Sequence, residues 1–125
     1  MKKISIILFL CVNFLFAFEE LNSDNFHEKI KDKNVIVDFH AVWCPPCKVL
    51  NNKLEEFDII KPENVTIYKV DIDKQRDLAL TYGVNKLPSL VYFKNGKKLK
   101  TIVGIQSAKE LYDSSKRIFD LKAGE

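Results

Sequence analysis

Val35-Ile36-Val37-Asp38-Phe39-His40-Ala41-Val42-Trp43-Cys44-Pro45-Pro46-Cys47-Lys48 joins a nearly continuous apolar, β-branched run to a pair of cysteines. Residues 35–39 carry the pattern of a strand covered on both faces, which places it centrally in a sheet. Beyond the cysteines, Val49, Leu50, Leu54 and Phe57 recur at helical spacing with Lys48, Asn51, Lys53 and Glu55 between them, so a helix is expected from the motif to about Phe57. With Cys44 as its N-cap, Pro45 falls at the first helical position, where a fixed φ fits and a missing N–H is no loss, and Cys47 falls at the third. The Cys44 sulfur then faces the positive end of the helix and can accept the Cys47 N–H. Both effects favour its thiolate and make it the nucleophile, while Cys47, one turn inward, becomes the resolving thiol. Pro46 removes another N–H, and no basic side chain stands between the cysteines. Thiolate stabilisation is therefore moderate, which favours a reductant over a strong oxidant.

Working outward, residues 65–70 read as a second strand and 75–82 as a helix, with Leu78 and Ala79 as its apolar positions and Gly83 as its stop. Strand, helix, strand, helix favours parallel pairing. Residues 89–93 and 99–103 flank Lys94-Asn95-Gly96-Lys97, a hairpin turn, so this end of the sheet is antiparallel. Upstream, Asn22-Ser23-Asp24 offers N-cap side chains to a short helix bearing Phe26 and Ile30 that ends near residues 32–34. Downstream, Ala108, Leu111, Tyr112, Ser115 and Phe119 mark a last amphipathic helix, followed by a polar tail from Asp120 to Glu125. The fold class is α/β, a central mixed β-sheet flanked by helices.

At 125 residues, 46% hydrophobic and 30% charged, the chain suits one globular domain and excludes a disordered, collagen-like or multispan protein. Its 20 basic and 17 acidic residues are spread along the chain, without the clustered basic stripe of a nucleic-acid binder. Residues 1–17, with Lys2 and Lys3 ahead of an apolar stretch that ends at Ala17, have the anatomy of a secretory signal peptide. The stretch is shorter than the about 20 residues of a spanning helix. Cleavage after Ala17 is expected. Leu15 is bulkier than such sites usually hold, so an uncleaved amino-terminal anchor is the alternative. Cys11 follows Leu10, where a lipid-attachment site would want a small residue, and reads as an apolar residue of the segment. The domain then comprises residues 18–125, nearly neutral without Lys2 and Lys3, in a periplasmic or otherwise exported location where disulfides persist.

Cys44 and Cys47 have rival readings. Zinc would need two more ligands at motif spacing, and only His27 and His40 are available; haem attachment would need a histidine where Lys48 stands. A structural disulfide closing so small a ring removes little chain entropy. Redox chemistry fits best. Asp38 is an acid inside an apolar strand, costly to bury when charged. It is either a structural partner of Lys69 on the following strand or a group whose raised pKa lets it exchange a proton with Cys47.

These residues resemble the thioredoxin family. The stretch 37–48, Lys69 ahead of Asp71-Ile72-Asp73, Tyr82-Gly83-Val84 leading to Leu87-Pro88-Ser89, and Phe93-Lys94-Asn95-Gly96 with Gly104 carry the likeness over essentially all of residues 18–125. The resemblance implies a thioredoxin fold, with Cys44 attacking, Cys47 resolving, Asp38 and Lys69 as a buried proton-handling pair, and Pro88 as a cis-proline opposite the disulfide. It also implies that Trp43, Pro45, Pro46, Leu87, Pro88 and Gly104 border a substrate groove. The chain departs from the family in four places. Two prolines between the cysteines replace Gly-Pro, as in exported thioredoxin-like reductases; His40 and Val42 stand where a tryptophan and an acid are usual; and Asn52 takes the place of a helix-kinking proline. A lone histidine beside a strand end reads first as a packed or solvent-touching side chain.

The expected protein is an exported, monomeric thiol-disulfide oxidoreductase that serves electron transport by reducing disulfides of other exported proteins. Its redox centre would be the Cys44–Cys47 disulfide, with no cofactor and no metal. An upstream redox partner, a membrane electron donor among the candidates, would recharge it. No nucleic acid is expected, and no membrane contact except through the leader. The alternatives are a disulfide-donating oxidant and a non-catalytic binding module on the same fold.

Overall fold

In a computed structural model of the chain, residues 18–121 are described, and the expected leader, residues 1–17, lies outside them. The elements run β1 (Glu19–Glu20), α1 (Phe26–Ile30), β2 (Asn34–His40), α2 (Pro45–Ile60), β3 (Val65–Asp71), α3 (Arg76–Thr81), β4 (Ser89–Lys94), β5 (Lys97–Val103) and α4 (Ala108–Ile118). The strands form one sheet in the order β1-β3-β2-β4-β5. β2 is central, parallel to β3 and antiparallel to β4, so the chain is parallel at its first half and antiparallel at its hairpin. Asn95 and Gly96 both take positive φ in the tight turn between β4 and β5, as a two-residue hairpin loop requires.

Alternation along β2 divides the core. Val35, Val37 and Phe39 face α1 and α3 with Phe26, Ile30, Leu78, Val91 and Phe93. Ile36 turns to the other face, against Leu50, Leu54 and Phe57 of α2 and Leu111 and Phe119 at α4. By the same period Asp38 and His40 follow Ile36 onto the α2 face, and there the cysteines are. α4 is tied at its start by a reciprocal cap: Ser107 accepts the Glu110 N–H at 3.1 Å, and Glu110 accepts the Ser107 N–H at 2.9 Å.

Several boundaries differ from the sequence expectation. β1, a two-residue strand parallel to β3, was not expected, because so short a segment carries no period. α1 starts from Asn25 rather than from Asn22-Ser23-Asp24, since Asn22 and Asn25 use their side chains to accept each other's backbone N–H, at 2.9 and 2.8 Å. α2 continues to Ile60, and Val49 is exposed, so its inner stripe is Cys47, Leu50, Leu54 and Phe57. The polar tail lies outside the described residues beyond Leu121.

Candidate active site

Cys44 caps α2 with extended backbone, Pro45 and Pro46 open the helix, and the Cys44 sulfur accepts the Cys47 N–H at 3.3 Å. The two sulfurs are joined in a disulfide. Lys48 Nζ donates to the Val42 carbonyl at 3.0 Å, pinning the loop before the motif to the first turn of the helix. The expected contrast between an accessible Cys44 and a shielded Cys47 is not one of exposed area, because the residues are 4% and 3% exposed. They differ in what lies beside them. Cys44 borders a mainly apolar groove of about 450 Å³, and Cys47 borders a more polar cleft of about 390 Å³.

The groove is lined by Trp43, Pro45 and Pro46 from the cysteine motif and by Ile72, Val84, Asn85 and Leu87 from the loops after β3 and α3. Leu87 also packs on Ala41 and the two cysteines. Trp43 is 63% exposed yet held, since its Nε1–H donates to Asp73 Oδ2 at 2.8 Å. Asp73 is fixed in turn by its backbone N–H donating to Asp71 Oδ1 at 2.8 Å. Pro88 follows Leu87 through a cis peptide bond and is buried behind the groove. Its carbonyl accepts the Gly104 N–H at 2.9 Å, where Gly104 has φ of 106° at the end of β5. This hydrogen bond ties Pro88, next to the groove-lining Leu87, to Gly104.

Asp38 lies across from Lys69 in the β2–β3 register, and Lys69 lies across from Glu20 on β1. Asp38 has no exposed surface, and neither of its carboxyl oxygens has a hydrogen-bond partner among the described residues. Burial raises its pKa from the ordinary 3.8 to about 6, against the opposing pull of the Lys69 charge 4.0 Å away. Both readings of Asp38 therefore have a physical basis: Lys69 faces it, and it is an acid that binds a proton near neutrality. Lys69, Asn51, Lys48, His40 and Cys47 line the polar cleft. His40 is a packed side chain, its Nε2 at 3.0 and 3.2 Å from the two carboxylate oxygens of Glu20.

Sequence reading alone missed Glu20, Asn51, Ile72, Asp73, Val84 and Asn85. Asn51 could have been found, because it stands four residues after Cys47 and so on the same helical face. Trp43 and Asp73 are thirty positions apart, and no local pattern links them. No cluster of three or more His, Cys, Asp or Glu that could hold a metal ion occurs among the described residues.

The thioredoxin family model matches residues 17–117. The chain is 42% identical to the thioredoxin of Malassezia sympodialis over 79 residues, covering 62% of this chain and 75% of that protein. It is 36% identical to the thioredoxin of Alicyclobacillus acidocaldarius over 92 residues, covering 73% of this chain and 88% of the relative. The crystal structure of the Malassezia protein superposes with a TM-score of 0.70 at 34% identity, over 82% of this chain and 90% of that one. A dithiol-disulfide pair capping α2 beside the central strand of a mixed sheet, in a sequence matched over this length, makes the chain a member of the thioredoxin family and a protein-disulfide oxidoreductase.

Proposed function

We propose that this thioredoxin works outside the cytoplasm as a reductase of disulfides in other exported proteins. Residues 1–17 support export, whether the segment is cleaved after Ala17 or kept as an anchor. The surroundings of the Cys44 sulfur support the direction. It accepts the Cys47 N–H, and Pro45 and Pro46 have no N–H to add, so its thiolate gains only part of what a helix start can give. A moderately stabilised thiolate leaves the dithiol form reducing.

In this reading the reduced protein docks a substrate along the groove, and the Cys44 thiolate attacks one sulfur of the substrate disulfide. The substrate's other sulfur leaves as a thiolate and takes a proton from solvent. Cys47 then gives its proton to Asp38 and attacks the Cys44 sulfur, expelling the second substrate sulfur. Two electrons have moved to the substrate, and Cys44–Cys47 is a disulfide. Asp38 is suited to the proton step because burial leaves it half-protonated at about pH 6. An upstream dithiol donor must return the two electrons, and a membrane-held donor would suit an exported protein.

The experiment is a redox equilibration of the purified domain against a glutathione buffer, paired with capture of partners by Cys47→Ser. A potential near that of reducing thioredoxins, with exported proteins trapped as mixed disulfides on Cys44, supports the proposal. A potential as high as that of strong oxidants reverses the direction. Full biological activity of a Cys44→Ser, Cys47→Ser double variant would make the protein a binding module instead.

A further inference from the structure

The Lys69 ammonium has an anion and a neutral amide within reach, and it bonds the amide. Nζ donates to Asn51 Oδ1 at 2.7 Å, while the nearest Asp38 oxygen is 4.0 Å away and accepts nothing. The amide cannot turn over to relax this preference. Its Nδ2 donates to Glu55 Oε2 at 3.1 Å, one turn further along α2. A carboxylate only accepts and an ammonium only donates, so Asn51 between Glu55 and Lys69 has one orientation that satisfies both. The lysine is thus drawn toward α2 and away from β2, although the strand register sets Asp38 and Lys69 side by side.

We propose that Asn51 is a positioning residue: by holding the Lys69 ammonium off the Asp38 carboxyl, it leaves that buried acid able to take up a proton. The proposal deepens the reading of Asp38 as the proton acceptor for Cys47 and rests on it. A charge-assisted hydrogen bond from Lys69 would stabilise the carboxylate far more than a charge standing at 4.0 Å without contact. The other charged groups that act on Asp38 are His40 on its own strand and Glu20 on β1; α2 presents Lys48 to the cleft that Lys69 lines and Glu55 to Asn51, and β4 presents the uncharged Leu90 in register. His40 favours the Asp38 carboxylate and Glu20 opposes it, and both act less strongly than Lys69. His40 and Glu20 hold one another, and Lys48 is bonded to Val42, so Lys69, once released from Asn51, is the cation left to move toward the acid.

Asn51→Leu keeps the approximate size of the side chain, raises helix propensity and removes the acceptor. The full chain, folded and oxidised, would be followed by the ¹³C shift of the Asp38 carboxyl across pH. The midpoint should fall by about one pH unit in Asn51→Leu, a tenfold gain in acidity, and rise in Lys69→Met. In Lys69→Met, adding Asn51→Leu should change nothing, because the effect of Asn51 runs through the lysine. Asn51→Ala serves the same comparison if the leucine variant fails to fold. A midpoint that stays, rises, or falls equally without Lys69 overturns the proposal. If the midpoint falls but the pH profile of disulfide reduction does not follow it, the positioning role stands and the proton-transfer reading of Asp38 fails.

Discussion

Asp38 and Lys69 are register partners on adjacent central strands, yet their charged atoms stand 4.0 Å apart and the carboxyl is left without a hydrogen bond. The sheet has buried an acid and withheld the compensation that would make its anion comfortable. Such an arrangement weakens the native state and leaves a group that titrates where thiol chemistry runs.

The cost appears as a pH dependence of stability. With its pKa raised from 3.8 to about 6, Asp38 holds its proton more tightly folded than unfolded. Below about pH 4 both states are protonated and the group contributes nothing; the penalty grows as pH rises to about 6 and is constant above. Over that window the rise amounts to about 3 kcal/mol. Asp38→Asn should therefore match the wild type in denaturant unfolding near pH 3.5 and exceed it by up to that amount at pH 8, while slowing disulfide reduction at neutral pH. Equal stability at pH 8 would mean that the carboxylate is already compensated.

Cys44 and Cys47 should separate in reactivity although their exposed areas are alike. In the reduced native protein, Cys44 keeps the helix end and the open apolar groove beside it, while Cys47 borders the more polar cleft. Iodoacetamide at pH 7 should label Cys44 at least tenfold faster, as read by mass mapping of the peptides. Faster labelling of Cys47 would exchange the attacking and resolving roles.

What the sequence disclosed and what it concealed follow from the range of the interactions. The strand through Val35, Ile36 and Val37, the Cys44 cap and the Asn95-Gly96 turn are local, and each was legible from neighbouring residues. The lysine facing Asp38 could be inferred, because βαβ order puts β3 beside β2. β1 could not, since Glu19 and Glu20 become a strand only by pairing with Tyr68 and Lys69. Asn51 was passed over for a different reason: hydrophobic periodicity sorts helix positions into inner and outer faces, and a polar residue at the rim counts as outer. Val49 erred the opposite way, apolar in type yet exposed.

Trp43 owes its placement to Asp73, and its indole should loosen when that acceptor goes. The hydrogen bond at 2.8 Å fixes an otherwise exposed ring as one wall of the groove. Asp73→Ala should leave kcat near that of the wild type and raise KM for a protein disulfide about fivefold, the worth of one ordinary hydrogen bond. Trp43 is the single tryptophan of the chain, so its fluorescence anisotropy should fall in the same variant. Unchanged anisotropy would mean that the ring is held by packing.

Leu87 separates docking from chemistry. Its side chain lines the groove beside Cys44 and packs against the cluster of Ala41 and the two cysteines, half-buried in the free protein, and a bound chain would cover the rest. Covering a leucine side chain stabilises a complex by about 1–2 kcal/mol when part of it is already buried. Leu87→Ser keeps the charge around Cys44 unchanged and removes that apolar surface. KM for a folded protein disulfide should rise about 5- to 30-fold. A small aromatic disulfide, which reaches Cys44 without lying along the groove, should be reduced within twofold of the wild-type rate. Equal losses with both substrates would show that Leu87 acts on the disulfide itself, by packing Cys44 and Cys47, and the groove would lose its claim as the docking surface.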